Sequence, residues 1–367
     1  MAKLGDICTI NMGQSPSSST YNSTGEGLPF FQGNADFGDI HPTVRTWCSN
    51  PIKIAEKGDL LISVRAPIGA LNIANEQCCI GRGLAALTNC TKNIYKEYLW
   101  FALLSKIDEL NSKGTGSTFK SINKKILAET SIPLPSLERQ KQIAKQLICL
   151  ATLLSRKKQQ LSKLDQLVKS RFIEMFGDPV ENEKGWEMIP LSELGTCKNG
   201  MNFASDEDGI EIAYLGVGDF KDNSRIDGVS GLSQISLNTM PSEEYLLKDE
   251  DIVFVRSNGS KELVGRCLAV YPGNEKLTFS GFCIRWRKNS DKVMTDFLLQ
   301  VLKTENVRIL MRGRGANIQN LNQQILGKLM IPVPNMALQQ SFVEFVGAID
   351  KSKLAIYKIK NMYWEGD

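Results

Sequence analysis

The chain contains the same stretch twice. Residues 114–135 read GTGSTFKSINKKILAETSIPLP, and residues 313–334, 199 positions later, read GRGANIQNLNQQILGKLMIPVP. Eight of these 22 aligned positions are identical: two Gly, one Asn, Ile-Leu and Ile-Pro-x-Pro. An amphipathic stretch bearing Leu, Ile and Phe follows each copy. Internal duplication constrains the fold more than composition does, because the chain must hold two similar globules, each ending in the same lead-in to a helix.

The globule interiors recur as well. Phe31–Phe37 and Tyr214–Phe220 share the pattern aromatic-x-Gly-x-x-Asp-Phe. Asp59–Arg65 and Asp251–Arg256 share an acidic start, an apolar run and an Arg, one residue different in length. Such β-branched runs, bounded by Gly-Asp or Arg-Ser-Asn-Gly, predict buried strands with loops at their ends. Tyr98-Leu99 and Phe297-Leu298 open helices at the same 199-residue offset. Each globule is therefore mixed, strands first and helices last.

Ser136 and Asn335 follow the Pro pairs and are good helix N-caps, and the X-Pro bonds hold the approach extended. The first helix then carries Leu147, Leu154, Leu161, Val168 and Met175 at sevens, with Ile143, Leu150 and Leu164 beside them and Lys157 and Arg171 interrupting. This is a heptad seam of about four heptads, on a helix whose 41 residues from Ser136 to Phe176 would span roughly 60 Å. Gly177-Asp178-Pro179 stops it. The second helix places Phe342, Ile349, Ile356 and Tyr363 at sevens, with Phe345 and Ile359 adjacent. The two seams are expected to pack as an antiparallel coiled coil about a pseudo-two-fold axis, an intermolecular coil being the alternative. The fold class is α+β: two similar mixed α/β domains separated by two long helices. The expected divisions are 1–135, 136–178, 179–334 and 335–367.

The net charge of +4 is unevenly placed. Residues 136–176 hold 9 basic and 3 acidic residues, whereas 177–334 hold 18 and 22, so a nucleic-acid face on the second globule must be a local patch. No run approaches the ~18 apolar residues of a membrane span, and the first residues show no secretory pattern. The nine cysteines are scattered without metal-ligand spacing, which reads as reduced thiols in a cytoplasm.

Motifs for covalent chemistry are absent. His41, the one histidine, sits in a turn-like Asp-Ile-His-Pro context. There is no GxxxxGK[ST] loop, and no Asn-Pro-Pro-aromatic or Asp-Pro-Pro-aromatic tetrapeptide of amino-methyltransferases. Gly81-Arg82-Gly83 and Gly313-Arg314-Gly315 mark tight turns, and Asp206-Glu207-Asp208 reads as a solvated face.

What remains suits recognition. Near each repeat's end a Gly-rich turn leads into polar residues on a helix. Arg pairs with guanine and Asn or Gln with adenine in the major groove, while Lys holds phosphate. The candidates are Arg65, Arg82, Lys113, Lys120, Lys124 and Lys125 in the first globule. In the second they are Arg256, Lys261, Arg266, Arg312, Arg314, Asn317, Gln319, Asn320 and Gln323. Asn123 and Asn322 match in both copies and read as framework. An ordinary polar helix face is the plain alternative for each residue.

These features resemble the specificity subunit of type I restriction–modification enzymes. Leu4-Gly5-Asp6-Ile7, Gly58-Asp59-Leu60-Leu61, the two Ile-Pro-x-Pro ends, Leu137–Ile143, Arg171–Pro179, Trp186 and Pro190–Gly195 carry the resemblance, over nearly the whole chain. It implies two target-recognition domains that each read half of a split, asymmetric site in double-stranded DNA. It also implies two helical spacers that set the gap and dock modification subunits, two of them by expectation. Those partners would supply S-adenosylmethionine-dependent adenine methylation. Restriction subunits would add ATP- and Mg-dependent translocation and cleavage, so this chain itself would hold no cofactor and catalyse nothing. The second helical segment, about 33 residues beyond Pro334, is shorter than the first, so either the seam is asymmetric or the chain's N-terminal end completes it. A coiled-coil adaptor without DNA readout is the alternative function.

Overall fold

The structure, a computed structural model, describes all residues except 117–119, 204–208, 222, 224, 260, 261, 313–319 and 363–367; for 357–362 it describes the backbone alone. Asp206–Asp208, Tyr363 and the Gly313-Arg314-Gly315 turn thus lie outside the described residues. The chain forms two compact units, Met1–Arg156 and Lys157–Asp367.

In the first unit an antiparallel sheet runs in the order Thr9–Met12, Leu84–Thr88, Leu60–Ser63, Leu71–Ile73. The Leu60–Ser63 strand is buried throughout because both faces are covered. Leu60 and Ile62 join a core with Leu4, Ile10, Leu87 and Leu99, while Leu61 faces a second core with Phe31, Ile80 and Leu84. Period-two alternation between two apolar layers is why this strand reads as a continuous apolar run. A second sheet includes Leu28–Phe31 running parallel to Cys78–Ile80. Helices Lys96–Leu104, Ile107–Ser112 and Lys124–Ala128 follow, and Ser131–Ile132 closes the unit by pairing with Ala2–Lys3.

The second unit repeats this topology. Gly195–Asn199, Cys283–Lys288, Asp251–Val255 and Cys267–Tyr271 stand in the same order, with Arg225–Asp227 added at the edge. Ile210–Leu215 runs parallel to Leu277–Phe279, and Glu187–Pro190 pairs with Met330–Val333. Ile252 and Phe254 face one core, Val253 and Val255 the other. Helix Thr295–Lys303 matches Lys96–Leu104 at an offset of 199 residues.

The expected spacers are single helices, Leu137–Phe176 and Met336–Met362. Their first turns are capped as expected: the Arg139 N–H donates to Ser136 Oγ (3.4 Å), and the Leu338 N–H to Asn335 Oδ1 (3.0 Å). The first ends where Gly177 turns left-handed at φ +73°. Beyond the caps, each helix is clamped by one glutamine with no exposed surface. Gln140 donates to the carbonyls of Asn93 (2.9 Å) and Pro135 (2.8 Å) and accepts from the Tyr95 N–H (2.9 Å). Gln339 repeats this with Lys292 (2.9 Å), Pro334 (2.8 Å) and Met294 (2.8 Å). All four positions differ by the repeat offset of 199. Neither residue stands out in the sequence as a clamp, because Gln140 inside Glu-Arg-Gln-Lys-Gln and Gln339 inside Leu-Gln-Gln-Ser look like parts of a solvated face.

Within the second unit the two helices pack antiparallel. Phe172 and Phe176 meet Phe342, each at 5.5 Å between ring centroids, while Asp165, further back along the first helix, bonds Lys353, further forward along the second (2.8 Å). Phe297 joins this aromatic cluster. The seam is unevenly buried. Val168 and Phe342 are buried, and Ile143, Leu147, Leu161, Leu164, Ile349 and Ile356 are half-buried, but Leu150 is 51% exposed and Leu154 37%. The heptad expectation fails at those two leucines, because periodicity specifies an apolar stripe and not what covers it.

Two further expectations are corrected. Cys8 and Cys90 form a disulfide, so the thiols are not all reduced. Pairing of Thr9 with Thr88 on adjacent strands brings these two cysteines together, a proximity invisible in their 82-residue separation. The arginines that end the two matched strands are not equivalent either. Arg65 bridges Ser121, whereas Ser257 bridges Asn320, so Arg65 corresponds to Ser257 and Val64 to Arg256.

Substituting Gln339 with Ala leaves one N–H and two carbonyls without their partner. It should cost about 2–4 kcal/mol in urea unfolding. Gln340→Ala, which removes only the surface bond to Glu344, should stay within about 0.5 kcal/mol. Equal effects would mean that the clamp does not hold the helix.

Candidate nucleic-acid interface

The ends of the central strands and the loops beside them make a cleft of about 330 Å³ in the first unit, lined by Gln32–Asp36, Arg65, Ala66, Arg82 and Gly83. The Asp36 carboxylate is committed to the backbone, accepting from the N–H groups of Gln32 (2.8 Å) and Gly33 (3.3 Å). That bond shapes the recurring Gly-x-x-Asp loop and leaves Arg65 and Arg82 as the cleft's positive charges. Both are exposed, and neither has a carboxylate partner among the described residues. The Arg65–Ser121 bridge and the bond from the Ala66 N–H to the Lys120 carbonyl (3.0 Å) bring exposed Lys120 alongside. Lys124 and Lys125 are exposed on the short helix behind Asn123.

The corresponding loops of the second unit carry other side chains on the same frame. Asp219 again holds its loop, accepting from the Gly216 N–H (2.8 Å). Gly281 and Phe282 stand where the first unit has Arg82 and Gly83, and Phe282 is 59% exposed. Arg256 donates to the Gly281 carbonyl (3.2 Å) and accepts the Leu321 N–H at its own (2.8 Å), with Asn320 bridged to Ser257 next door. Phe282 was missed in the sequence. Aligning Gly81-Arg82-Gly83 with Ser280-Gly281-Phe282 by the repeat offset would have singled it out.

Four candidates are occupied otherwise. Lys113 is paired with Glu109 at 2.6 Å, which neutralises it. Gln323 is half-buried, and with its amide turned end for end it bonds the Cys197 carbonyl (3.3 Å) and the Asn199 N–H (3.2 Å), an orientation that ties it to the frame. Arg266 points its guanidinium at the carbonyls of Phe220 and Lys221 (3.4 Å each), in a different cleft of the unit. Arg312 is half-buried and lies 3.8 Å from Glu305. Lys261, Arg314, Asn317 and Gln319 lie outside the described residues. Asn123 and Asn322 cap short helices, each accepting an N–H three residues on at 2.9 Å, which is the framework role expected of them.

Five cysteine thiols are held inert. Burial pushes the Cys78 and Cys283 thiols up to about 12 and those of Cys79, Cys197 and Cys267 up to about 11, far from thiolate formation near neutrality. His41 spends Nδ1 on the Ile73 carbonyl at 2.9 Å. Desolvation raises the Asp59 pKa, while its carboxylate accepts the Glu56 N–H at 2.8 Å. No cluster of three or more His, Cys, Asp or Glu able to hold a metal ion occurs among the described residues, and no described helix is long and apolar enough to cross a membrane.

Paired arginines over backbone-anchored loops, duplicated with different side chains, form a surface suited to reading. A family profile described as the type I restriction modification DNA specificity domain matches residues 1–165 and 183–361. The chain belongs to that family. It is 42% identical over 160 residues to a Methanocaldococcus jannaschii protein provisionally named the MjaX type I restriction enzyme specificity subunit, covering 44% of this chain and 38% of that one. It is 28% identical over 258 residues to the StySPI specificity subunit of Salmonella potsdam, covering 65% of this chain and 54% of that one. The chain thus spans about half the length of these relatives or less. The solved type I restriction–modification S subunit from M. genitalium shares the fold, with a TM-score of 0.56 at 16% identity over 97% of this chain and 90% of the other.

Arg82→Ala and Arg65→Ala are expected to weaken duplex binding. A base contact should cost about 1–3 kcal/mol and relax selectivity at one position. A phosphate contact should lower affinity evenly across sequences and reduce the salt slope by about one. Competition binding across single-base variants separates the two, and unchanged affinity in both mutants would move the interface elsewhere.

Proposed function

We propose that this chain is the sequence-specific DNA-recognition subunit of a type I restriction–modification complex, each globule reading one half of a bipartite, asymmetric site. The observation that carries this reading is the repeated scaffold with exchanged side chains. The strand order and glutamine clamp recur, while Arg65 gives way to Ser257, Arg82 to Gly281 and Gly83 to Phe282. Two copies kept alike for packing and made different at their loops suit two reading heads for unlike sequences. In the first unit Arg65, Arg82 and Lys120 are the reading and phosphate-holding residues, with Lys124 and Lys125 beside them. In the second they are Arg256, Asn320 and Phe282, whose exposed ring suits stacking on bases or wedging against a base step.

In this division of labour residues 1–135 and 179–334 read, and the segments 136–178 and 335–367 space the heads and dock two modification subunits. S-adenosylmethionine, ATP and Mg belong to the modification and restriction partners, and the complex works in the cytoplasm. The chain itself is not an enzyme. Purified alone it should neither methylate nor cut DNA, and adding cognate modification subunits should produce N6-methyladenine at one split motif. Turnover by the chain alone would contradict this role, and failure of the assembly to shift a duplex would favour a protein-only adaptor.

The spacer reading has its own test. Inserting four residues at Lys157 lengthens the helix by about 6 Å and rotates its two ends by roughly 40° relative to each other. The gap between methylated half-sites should change while both half-sites persist, or the assembly should be lost. An unchanged gap in an active complex would take the ruler role from this helix.

A further inference from the structure

A second cleft, of about 450 Å³, lies wholly within the second unit. The long helix contributes Asp165, the C-terminal helix Asp350 and Lys353, and the globule Lys221, Arg266, Lys303 and Arg308. Five basic residues thus face two carboxylates, and one lysine takes both of these: Lys353 Nζ lies 2.8 Å from Asp165 and 3.2 Å from Asp350. The other four cations have no carboxylate partner among the described residues, Asp222 lying outside these.

Their remaining contacts leave donors unused. Arg308 donates through Nη to the Glu262 carbonyl (2.9 Å), yet its Nε is buried with no partner. Arg266 reaches only carbonyls, both at a long 3.4 Å. Lys303 makes no hydrogen bond or ion pair among the described residues, and burial of its ammonium pulls its pKa below the ordinary lysine value. Asp350 and Asp296 act on Lys303, and Glu305 on Arg308, only from beyond ion-pair distance. Half-buried cations without a hydrogen-bonded partner are costly, and the cost is offset when an anion accepts their hydrogen bonds.

We propose that this cleft is a binding site for a phosphate-type oxyanion, held by Lys303 and Arg308 with Arg266 and Lys221 at its rim. Lys221, Arg266, Lys303 and Arg308 are all donors, two of them guanidinium forks that match tetrahedral oxyanions, while Asp165 and Asp350 are taken up by Lys353. The space exceeds that of one phosphate, so a phosphate monoester fits the same chemistry. A bound oxyanion would tie the globule's helices to the place where the two long helices meet. The inference does not rest on the proposed DNA-reading role, and either can fail without the other.

The test is thermal unfolding of the full chain titrated with inorganic phosphate, against sodium chloride at matched ionic strength. Phosphate should raise Tm saturably beyond chloride, because a ligand bound only to the folded state stabilises it. Lys303→Met should abolish the phosphate-dependent rise while unfolding at the same or a higher temperature without phosphate, since it removes a half-buried cation that makes no hydrogen bond or ion pair among the described residues. Lys303→Arg should retain the rise. Phosphorus NMR line broadening by the wild-type chain, relieved in Lys303→Met, supplies a readout independent of stability. Protection by a non-specific duplex but not by free phosphate, lost in Lys303→Met, would support the oxyanion site with the DNA backbone as its source. A phosphate effect no greater than that of chloride, with no duplex protection, would overturn the proposal, as would a rise that persists unchanged in Lys303→Met.

Discussion

A buried glutamine in the first turn ties each long helix to its own globule. An amide without exposed surface must have its hydrogen bonds made, and Gln140 and Gln339 each make three to backbone groups of their own globule. Two of the partners lie more than 40 residues away, just before a globule helix, and the third is the proline that precedes the long helix. The clamp thus fixes the direction in which each helix leaves its globule. The Ile-Pro-x-Pro segments hold the approach extended, and the Ser136 and Asn335 caps begin the helix at a set residue. A helix that served as a spacer could measure distance only with a fixed exit angle, and on the proposed reading the glutamine supplies it.

The same logic separates what the two copies keep from what they change. Asp36 and Asp219 both serve the backbone of their loops, and Asn123 and Asn322 both cap short helices. Each of these side chains satisfies backbone N–H groups that a non-accepting replacement would leave unpaired. Side chains projecting from the held loops carry no such duty, and there the copies diverge. A cleft bearing two arginines in the first unit has an exposed phenylalanine at its counterpart in the second.

Much of the frame could be read from the residues. The repeat offset locates both globules, and alternation between two apolar layers explains why Leu60–Ser63 and Asp251–Val255 read as buried strands. Val168 and Phe342 lie in the predicted seam and are buried. Other features depended on proximity that pattern does not encode. The Cys8–Cys90 disulfide follows from strand pairing, and the bonding of Gln323 from a neighbouring strand edge. Arg266 looked like a reader because Arg near a Gly turn suits DNA, but it sits in the turn before the Cys267–Tyr271 strand and lines another cleft. Leu150 and Leu154 satisfy the heptad and stay exposed, since a period is silent on what lies opposite. Candidate readers were the least legible group, because an exposed Lys or Gln on a short helix looks the same whether it meets water, a carboxylate or a base.

The central claim is that the two globules read independently from one scaffold. It is tested most directly by exchanging residues 179–334 for the matching domain of a relative with a different target and mapping N6-methyladenine across the host genome by long-read sequencing. The account predicts a methylated motif in which one half-site is replaced while the other half-site and the gap are unchanged. A motif in which both halves change together would contradict it.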